Sequence, residues 1–195
     1  MSEQYPDSLQ PGYFDNVYAA NADPWDFATS EYEQRKYSDT VGHLPRPRYD
    51  NAFEVGCSIG VLTALLAPRC TSLLSIDVSE TALSIASKRC AALSNVRLQR
   101  MHFPEQQPDS MFDLVVVSEV AYYWGLADLE TAMDQIAAHH LTDGHLILVH
   151  WTPFVADYPL TGDQVHDLWL RRSEWDPISD ERRPQYRISL LRRIT

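Results

Sequence analysis

Four residues of this chain sit at spacings that chemistry can use: Glu54, Gly56, Gly60 and Asp77. The first three lie in Phe53-Glu54-Val55-Gly56-Cys57-Ser58-Ile59-Gly60, directly after an apolar run. Small residues at 56, 58 and 60 allow a tight turn off a strand and let a ligand approach the backbone before a helix begins. A dinucleotide fingerprint would place glycines at 56, 58 and 61, but Ser58 and Val61 stand at two of those positions. An acid two residues before the first glycine disfavours pyrophosphate and suits an ammonium group. Asp77, at the end of the next apolar run, can accept hydrogen bonds from both hydroxyls of a ribose. No Gly-Lys-Ser or Gly-Lys-Thr loop occurs. Ammonium plus ribose without phosphate describes S-adenosylmethionine, and a dehydrogenase is disfavoured. The plainer alternative is a glycine-rich turn with a capping aspartate.

These residues need a scaffold of alternating strands and helices, and the pattern supplies one. Apolar runs at Tyr49–Val55, Ser72–Asp77, Val96–Arg100, Phe112–Ser118 and His145–Trp151 read as strands. Leu114-Val115-Val116-Val117 is continuous enough to be buried on both faces. Helices are expected over Gly60–Ala67, after Ser79, from about Leu129 to His140 with a stop at Asp143-Gly144, and over Thr161–Leu170. Trp175–Ile178 and Tyr186–Leu191 predict an antiparallel hairpin turning at Glu181–Gln185. Residues 13–42 read as an aromatic-rich helical arm, interrupted at Asp23-Pro24-Trp25 and closed by Pro45 and Pro47. The order predicts right-handed crossovers, a parallel sheet covered on both faces and a ligand site at the strands' carboxyl ends.

The motif Glu-x-Gly-x-x-x-Gly followed by Ile76-Asp77-Val78-Ser79 resembles that of class I S-adenosylmethionine-dependent methyltransferases. More narrowly the chain resembles the NodS-like group of nodulation N-methyltransferases. The matching stretches are Asp23-Pro24-Trp25, the Phe53–Gly60 loop, Phe112–Val120 with Tyr122-Tyr123, and Thr161-Gly162-Asp163. This resemblance implies an α/β, Rossmann-like fold: a mostly parallel seven-stranded sheet, a C-terminal antiparallel hairpin and helices on both faces. It implies one domain over residues 1–195, with an arm and lid at 1–44 and the core at 45–195. It also implies S-adenosylmethionine as cofactor, S-adenosylhomocysteine as product, and an amine on a sugar or small metabolite as acceptor. Gly56, Ser58, Gly60 and Ser118 would line the cofactor, with Glu54 near its amine, Asp77 on the ribose and Val78 on the adenine. An acid that often contacts adenine is replaced by Met101-His102, leaving the ring to the apolar and backbone groups of Met101, His102 and Phe103.

Methyl transfer needs alignment and exclusion of water more than a protein nucleophile. An amine must be neutral when it attacks, so a group that orients it and takes its proton would help. Glu119, after the fourth strand, is the candidate, with Tyr122 beside it; otherwise it is a helix-start acid favoured by the dipole. His150, at the end of the fifth strand, either lines the pocket or is a satisfied core histidine. One of Tyr122 and Tyr123 is expected to face the pocket while the other enters the core. In the arm, Trp25, Tyr32 and Tyr37 are either staples or a lid using cation–π attraction. Arg35 either clamps the methionine carboxylate or pairs with Glu31 one helical turn away. The seven histidines show no metal spacing, and no metal is expected.

Composition bounds the rest. The chain has 195 residues, 45% apolar and 22% charged, with a net charge of −11 from 27 acids and 16 bases. That balance disfavours a nucleic-acid partner. Residues 1–34 hold seven acids and no Lys or Arg, while residues 171–195 hold seven arginines. The acids form either a solvated arm or an acidic lid for a cationic substrate. No apolar stretch is long enough for a membrane span, and the opening Met1–Pro6 does not resemble a leader. Three sparse cysteines suit a reducing compartment, so a cytoplasmic location is expected. O-methylation of a small carboxylate, with Arg35, Lys36 or the C-terminal arginines as anion clamp, is the alternative reaction. A cofactor-binding protein without turnover is the alternative class.

Overall fold

The computed structural model describes residues 6–194; Met1–Tyr5, on which most of the leader expectation rested, lie outside them. Seven strands form one sheet: β1 Tyr49–Val55, β2 Cys70–Asp77, β3 Val96–Arg100, β4 Phe112–Ser118, β5 His140–Trp151, β6 Trp175–Arg182 and β7 Tyr186–Arg193. Their order is β3-β2-β1-β4-β5-β7-β6. The pairs among β1 to β5 are parallel, while β7 runs antiparallel to both β5 and β6.

Side-chain alternation explains why both faces are covered. Phe53, Val55, Val115, Val117, Leu146 and Leu148 enter one apolar cluster with α5 (Leu126–Ala138) and α6 (Gly162–Leu170). Ala52, Leu114, Val116, Ile147 and Val149 enter the other. That second face is covered by α2 (Glu31–Gly42) and α3 (Val61–Leu66). The arm also contributes α1 (Pro11–Ala20), and residues 21–30 between α1 and α2 are irregular, as the Asp23-Pro24-Trp25 break predicts. Asp23 holds that turn by accepting the backbone N–H groups of Phe27 and Ala28. A third cluster, Tyr18, Ile59 and Ala82 with Trp25 and Phe27 against it, packs the arm over α4 (Glu80–Arg89).

The caps fall where residue types predict them. Ser79 Oγ accepts from Ala82 N–H, and Thr161 forms a capping box with Gln164. One boundary differs. The fifth helix ends at Ala138 rather than running to Asp143-Gly144, and His140 begins β5 instead of closing the helix. Asp143 adopts φ +61 within a strand whose pairing to β4 shifts register between Phe112 and Leu114. The Asp-Gly signal therefore marks an irregularity inside a strand, which sequence alone cannot separate from a helix stop. The hairpin is also longer than expected, with only residues 183–185 left for its turn.

Candidate active site

The carboxyl ends of β1, β2 and β4 open onto a cavity whose space, counted out to solvent, is about 1090 Å³. Loops after these strands form its floor, and the arm forms its roof. The β1–α3 loop turns sharply: Gly56 has φ +75, Ser58 φ +50 and Gly60 φ +78. A Cβ on Gly56 would sit 2.9 Å from the Val120 side chain, and one on Gly60 would sit 3.0 Å from Ala86. Both positions therefore need glycine for conformation and for close packing. Gly56 lines the cavity; Gly60 does not, and it packs against Ala86 of α4.

Asp77 terminates β2 and reaches back into the same loop. Its Oδ2 accepts Ser58 N–H at 2.8 Å and its Oδ1 accepts Ser79 N–H at 2.9 Å. Burial lifts its pKa to about 6 despite those donors. Glu54 is 2% exposed, and burial lifts it to about 7. Thr63 and Ser75 both donate to its Oε2 at 2.6 Å, leaving Oε1 without a hydroxyl donor beside the cavity that Glu54 lines. Val78, Met101, His102, Phe103 and Ser118 also line the cavity. His102 stands at the edge, paired with Glu105 at 3.0 Å.

Glu119 follows β4 with φ +55, a strained backbone for a residue with a side chain. Its oxygens are heavily engaged. Lys36 Nζ donates to Oε1 at 2.6 Å, while the Tyr122 hydroxyl at 2.5 Å and Trp151 N–H at 3.0 Å donate to Oε2. Burial works to raise its pKa, but the Lys36 charge and the donors outweigh that and hold it low. Tyr123, not Tyr122, lines the cavity; Tyr122 lies behind it, stacked on Tyr158 at 4.9 Å. Tyr122, expected beside the reacting groups, therefore reaches the cavity only through its hydrogen bond to Glu119.

His150 is fully buried and outside the cavity lining. Its Nε2 accepts Ala121 N–H at 3.2 Å, so Nδ1 carries the hydrogen toward His166 Nε2 at 3.1 Å. His166 passes a bond to Ser189 Oγ at 2.6 Å, and Ser189 donates to Asp180. Burial drives His150 down to about 4 and His166 well below its usual range. The pair is a neutral buttress under the turn carrying Tyr122 and Tyr123, and the catalytic role expected of His150 has no geometry here.

The arm divides. Trp25 lines the cavity, stacked on Phe27 at 5.5 Å and edge-on to Tyr18. Tyr37 lines it too. Tyr32 instead packs edge-on against Trp151 and Tyr186, outside the lining. Arg35 projects into solvent, 81% exposed, and pairs with Glu31 at 3.1 Å, so the clamp alternative is not realised. Lys36, by contrast, is buried, bonding Glu33 at 2.9 Å as well as Glu119. Sequence reading missed Tyr18, whose hydroxyl donates to Ser58 Oγ at 2.5 Å, together with Phe14, Leu9 and Trp124 in the lining. For Phe14 and Tyr18 the only signal was the aromatic density of the arm; Leu9 and Trp124 carried none. The buried meeting of Lys36 with Glu33 and Glu119 joins elements far apart in the chain.

The sheet order and the position of the cavity are those of the class I S-adenosylmethionine-dependent methyltransferase fold. The family model for Nodulation protein S (NodS) matches residues 16–152, and the chain belongs to the NodS family. It is 32% identical over 130 residues to Nodulation protein S of Sinorhizobium fredii, an alignment covering 66% of this chain and 60% of that relative's length. A solved Pseudomonas syringae protein is 34% identical with a TM-score of 0.75, covering 84% of this chain and all of the other. The N-methyltransferase NodS of Bradyrhizobium japonicum WM9, solved with S-adenosylhomocysteine, has a TM-score of 0.83 at 22% identity, covering 95% and 99%.

Proposed function

We propose that this chain is an S-adenosylmethionine-dependent methyltransferase that N-methylates an amine on a sugar or small metabolite. The observation that carries the amine reading is the charge of the cavity. Five acids line it (Glu54, Asp77, Glu105, Glu119 and Asp128), Glu119 held ionised and Glu54 and Asp77 raised by burial, and its described lining includes no lysine or arginine. Such a wall favours cationic ligands and disfavours a carboxylate acceptor. The clamp that O-methylation would require is also committed elsewhere. Arg172, Arg182, Arg183, Arg187 and Arg192 are ion-paired to carboxylates. Arg171 and Arg193, though without such pairs among the described residues, do not line the cavity.

The same wall fits the cofactor, which carries a sulfonium and an ammonium. Asp77 would take the ribose hydroxyls, and Glu54 Oε1 would face the ammonium. The backbone of Gly56 and Ser58 would take the methionine end. Val78, Met101 and Phe103 would pack on the adenine, with Ser118 and His102 at its border. When bound, the cofactor supplies an electrophilic methyl group. The protein's part is to bury that group under Tyr18, Trp25 and Phe27 and to hold the acceptor beside Glu119. Ionised and fixed by three donors, Glu119 orients a cationic amine by charge. The test measures S-adenosylhomocysteine release with an oligosaccharide bearing a free amine, with its N-acetylated twin, and with a short carboxylic acid. Release confined to the free amine is expected. Release with the acid, or with none of several amines despite cofactor binding, would overturn the reading.

A further inference from the structure

Glu119 cannot easily be the final home of the proton that an amine acceptor must lose. Its Oε2 already accepts two hydrogen bonds, its Oε1 accepts one from Lys36, and Lys36 holds it ionised. Directly behind it lies a group with room. Lys36 Nζ donates to Glu119 Oε1 at 2.6 Å and to Glu33 Oε1 at 2.9 Å, so one ammonium bridges two carboxylates. Glu33 is 7% exposed, and its Oε2 is buried with only the Tyr37 phenol turned toward the carboxylate. Two carboxylates and one ammonium leave a net charge of −1 in a buried cluster, and one added proton cancels it. Resting on the amine reading above, we propose that Glu33 receives the acceptor's proton through Glu119 and Lys36.

The steps balance. The acceptor's N–H bond breaks with the electron pair left on nitrogen, and the proton joins Glu119 Oε1. Lys36 passes one proton to Glu33 and takes that one from Glu119. Lys36 ends as an ammonium, Glu119 as a carboxylate and Glu33 as a carboxylic acid. Its residual exposure lets Glu33 return the proton to water. Glu33 touches no substrate; it acts through Lys36, as a positioning residue for the proton. The other titratable groups turned toward the cluster are the phenols of Tyr32 and Tyr37 from α2, Tyr122 and the His150 imidazole near Glu119, and Tyr186 of β7 against Tyr32. Burial holds His150 neutral. Burial raises all four phenols, so they stay neutral. Burial raises Glu33 as well, in the direction a proton store requires.

Two measurements decide the matter. Methyl transfer to D-glucosamine and to a short aliphatic amine is followed against pH in wild type, Glu33→Gln and Glu33→Asp. At pH 7 the Glu33→Gln rate should fall roughly 10- to 100-fold. The gap should close as pH approaches the amine's own pKa, where the acceptor arrives neutral. Glu33→Asp should retain most of the neutral-pH rate. A loss constant across pH, or no loss, would overturn the proposal. Infrared titration of the protein without ligands reads the store independently of turnover. Glu54 and Asp77, also raised by burial, contribute their own carboxylic acid C=O absorption in both proteins. A further C=O component in wild type, persisting above the normal carboxylate range and missing from Glu33→Gln, is expected as a difference band; identical spectra would overturn the proposal. Failure of both amines as acceptors, with the band present, would instead overturn the amine reading and the relay that rests on it, leaving Glu33 only a raised buried acid.

Discussion

Replacing Lys36 with methionine removes one charge from a site where two others depend on it. Methionine keeps much of the stem volume, so the change tests charge more than packing. The Lys36 side chain is 2% exposed, and its partners Glu33 and Glu119 are 9% and 10% exposed, so solvent screening is slight. Breaking a buried pair while its partner stays charged costs about 3–5 kcal/mol. For a chain of this size each kcal/mol moves Tm by about 2–4 °C, so Lys36→Met should lower Tm by roughly 6–20 °C at pH 7.5. The loss should shrink on acidification. Glu33 and Glu119, left without the ammonium, then take up a proton each, and their folded pKa values rise above the unfolded ones. A group so raised contributes stability below its unfolded pKa and loses it as pH climbs through the folded pKa. A double variant, Lys36→Met with Glu33→Gln, removes one of the two stranded charges and should recover part of the loss. Thermal unfolding by circular dichroism at pH 5.5 and 7.5 measures all of this. A fall below about 3 °C at pH 7.5, equal at both pH values, would show that the cluster is not the buried electrostatic unit the structure displays.

Three further outcomes follow from the same geometry. Asp77→Ala should weaken S-adenosylhomocysteine binding by at least about 1.5–3 kcal/mol, the worth of hydrogen bonds to a charged group; unchanged Kd by calorimetry would remove Asp77 from the ribose. Glu54 is raised to about 7 by burial, so it favours the folded state fully below the ordinary glutamate range and loses that contribution as pH rises through neutrality. The isosteric Glu54→Gln should therefore be as stable as wild type or more so at pH 8, with a flatter Tm profile between pH 4.5 and 8; a large loss at pH 8 would contradict a costly buried carboxylate. Arg35→Ala should change neither Tm nor cofactor Kd measurably, because the Arg35–Glu31 pair is solvent-exposed. A tenfold rise in Kd would restore the clamp.

Some parts of this protein are written locally, and local rules read them. Val115-Val116-Val117 is apolar on both faces, Ser79 and Thr161 are helix caps, and the Asp23-Pro24 break splits the arm. Each depends on neighbours within a few residues. The loop from Glu54 to Gly60 and the acid at Asp77 were likewise legible, since a tight turn after a strand demands small residues wherever it occurs. What the sequence could not decide was which side chains meet across the sheet. Tyr122 and Tyr123 are adjacent and alike, and only the packing of Tyr158 and the His150–His166 buttress determines which lines the cavity. Arg35 and Lys36 are also neighbours with the same charge, yet the rotation of about 100° between consecutive helix positions sends Arg35 to solvent and Lys36 into the core. His150 lies near the carboxyl end of a strand, a position that favours catalytic groups in such folds, but the fold turns it away from the cavity and commits both its nitrogens to structure. Propensity and spacing constrain residues near in sequence; burial and charge pairing between α2 and the end of β4 arise only when the sheet has brought them together.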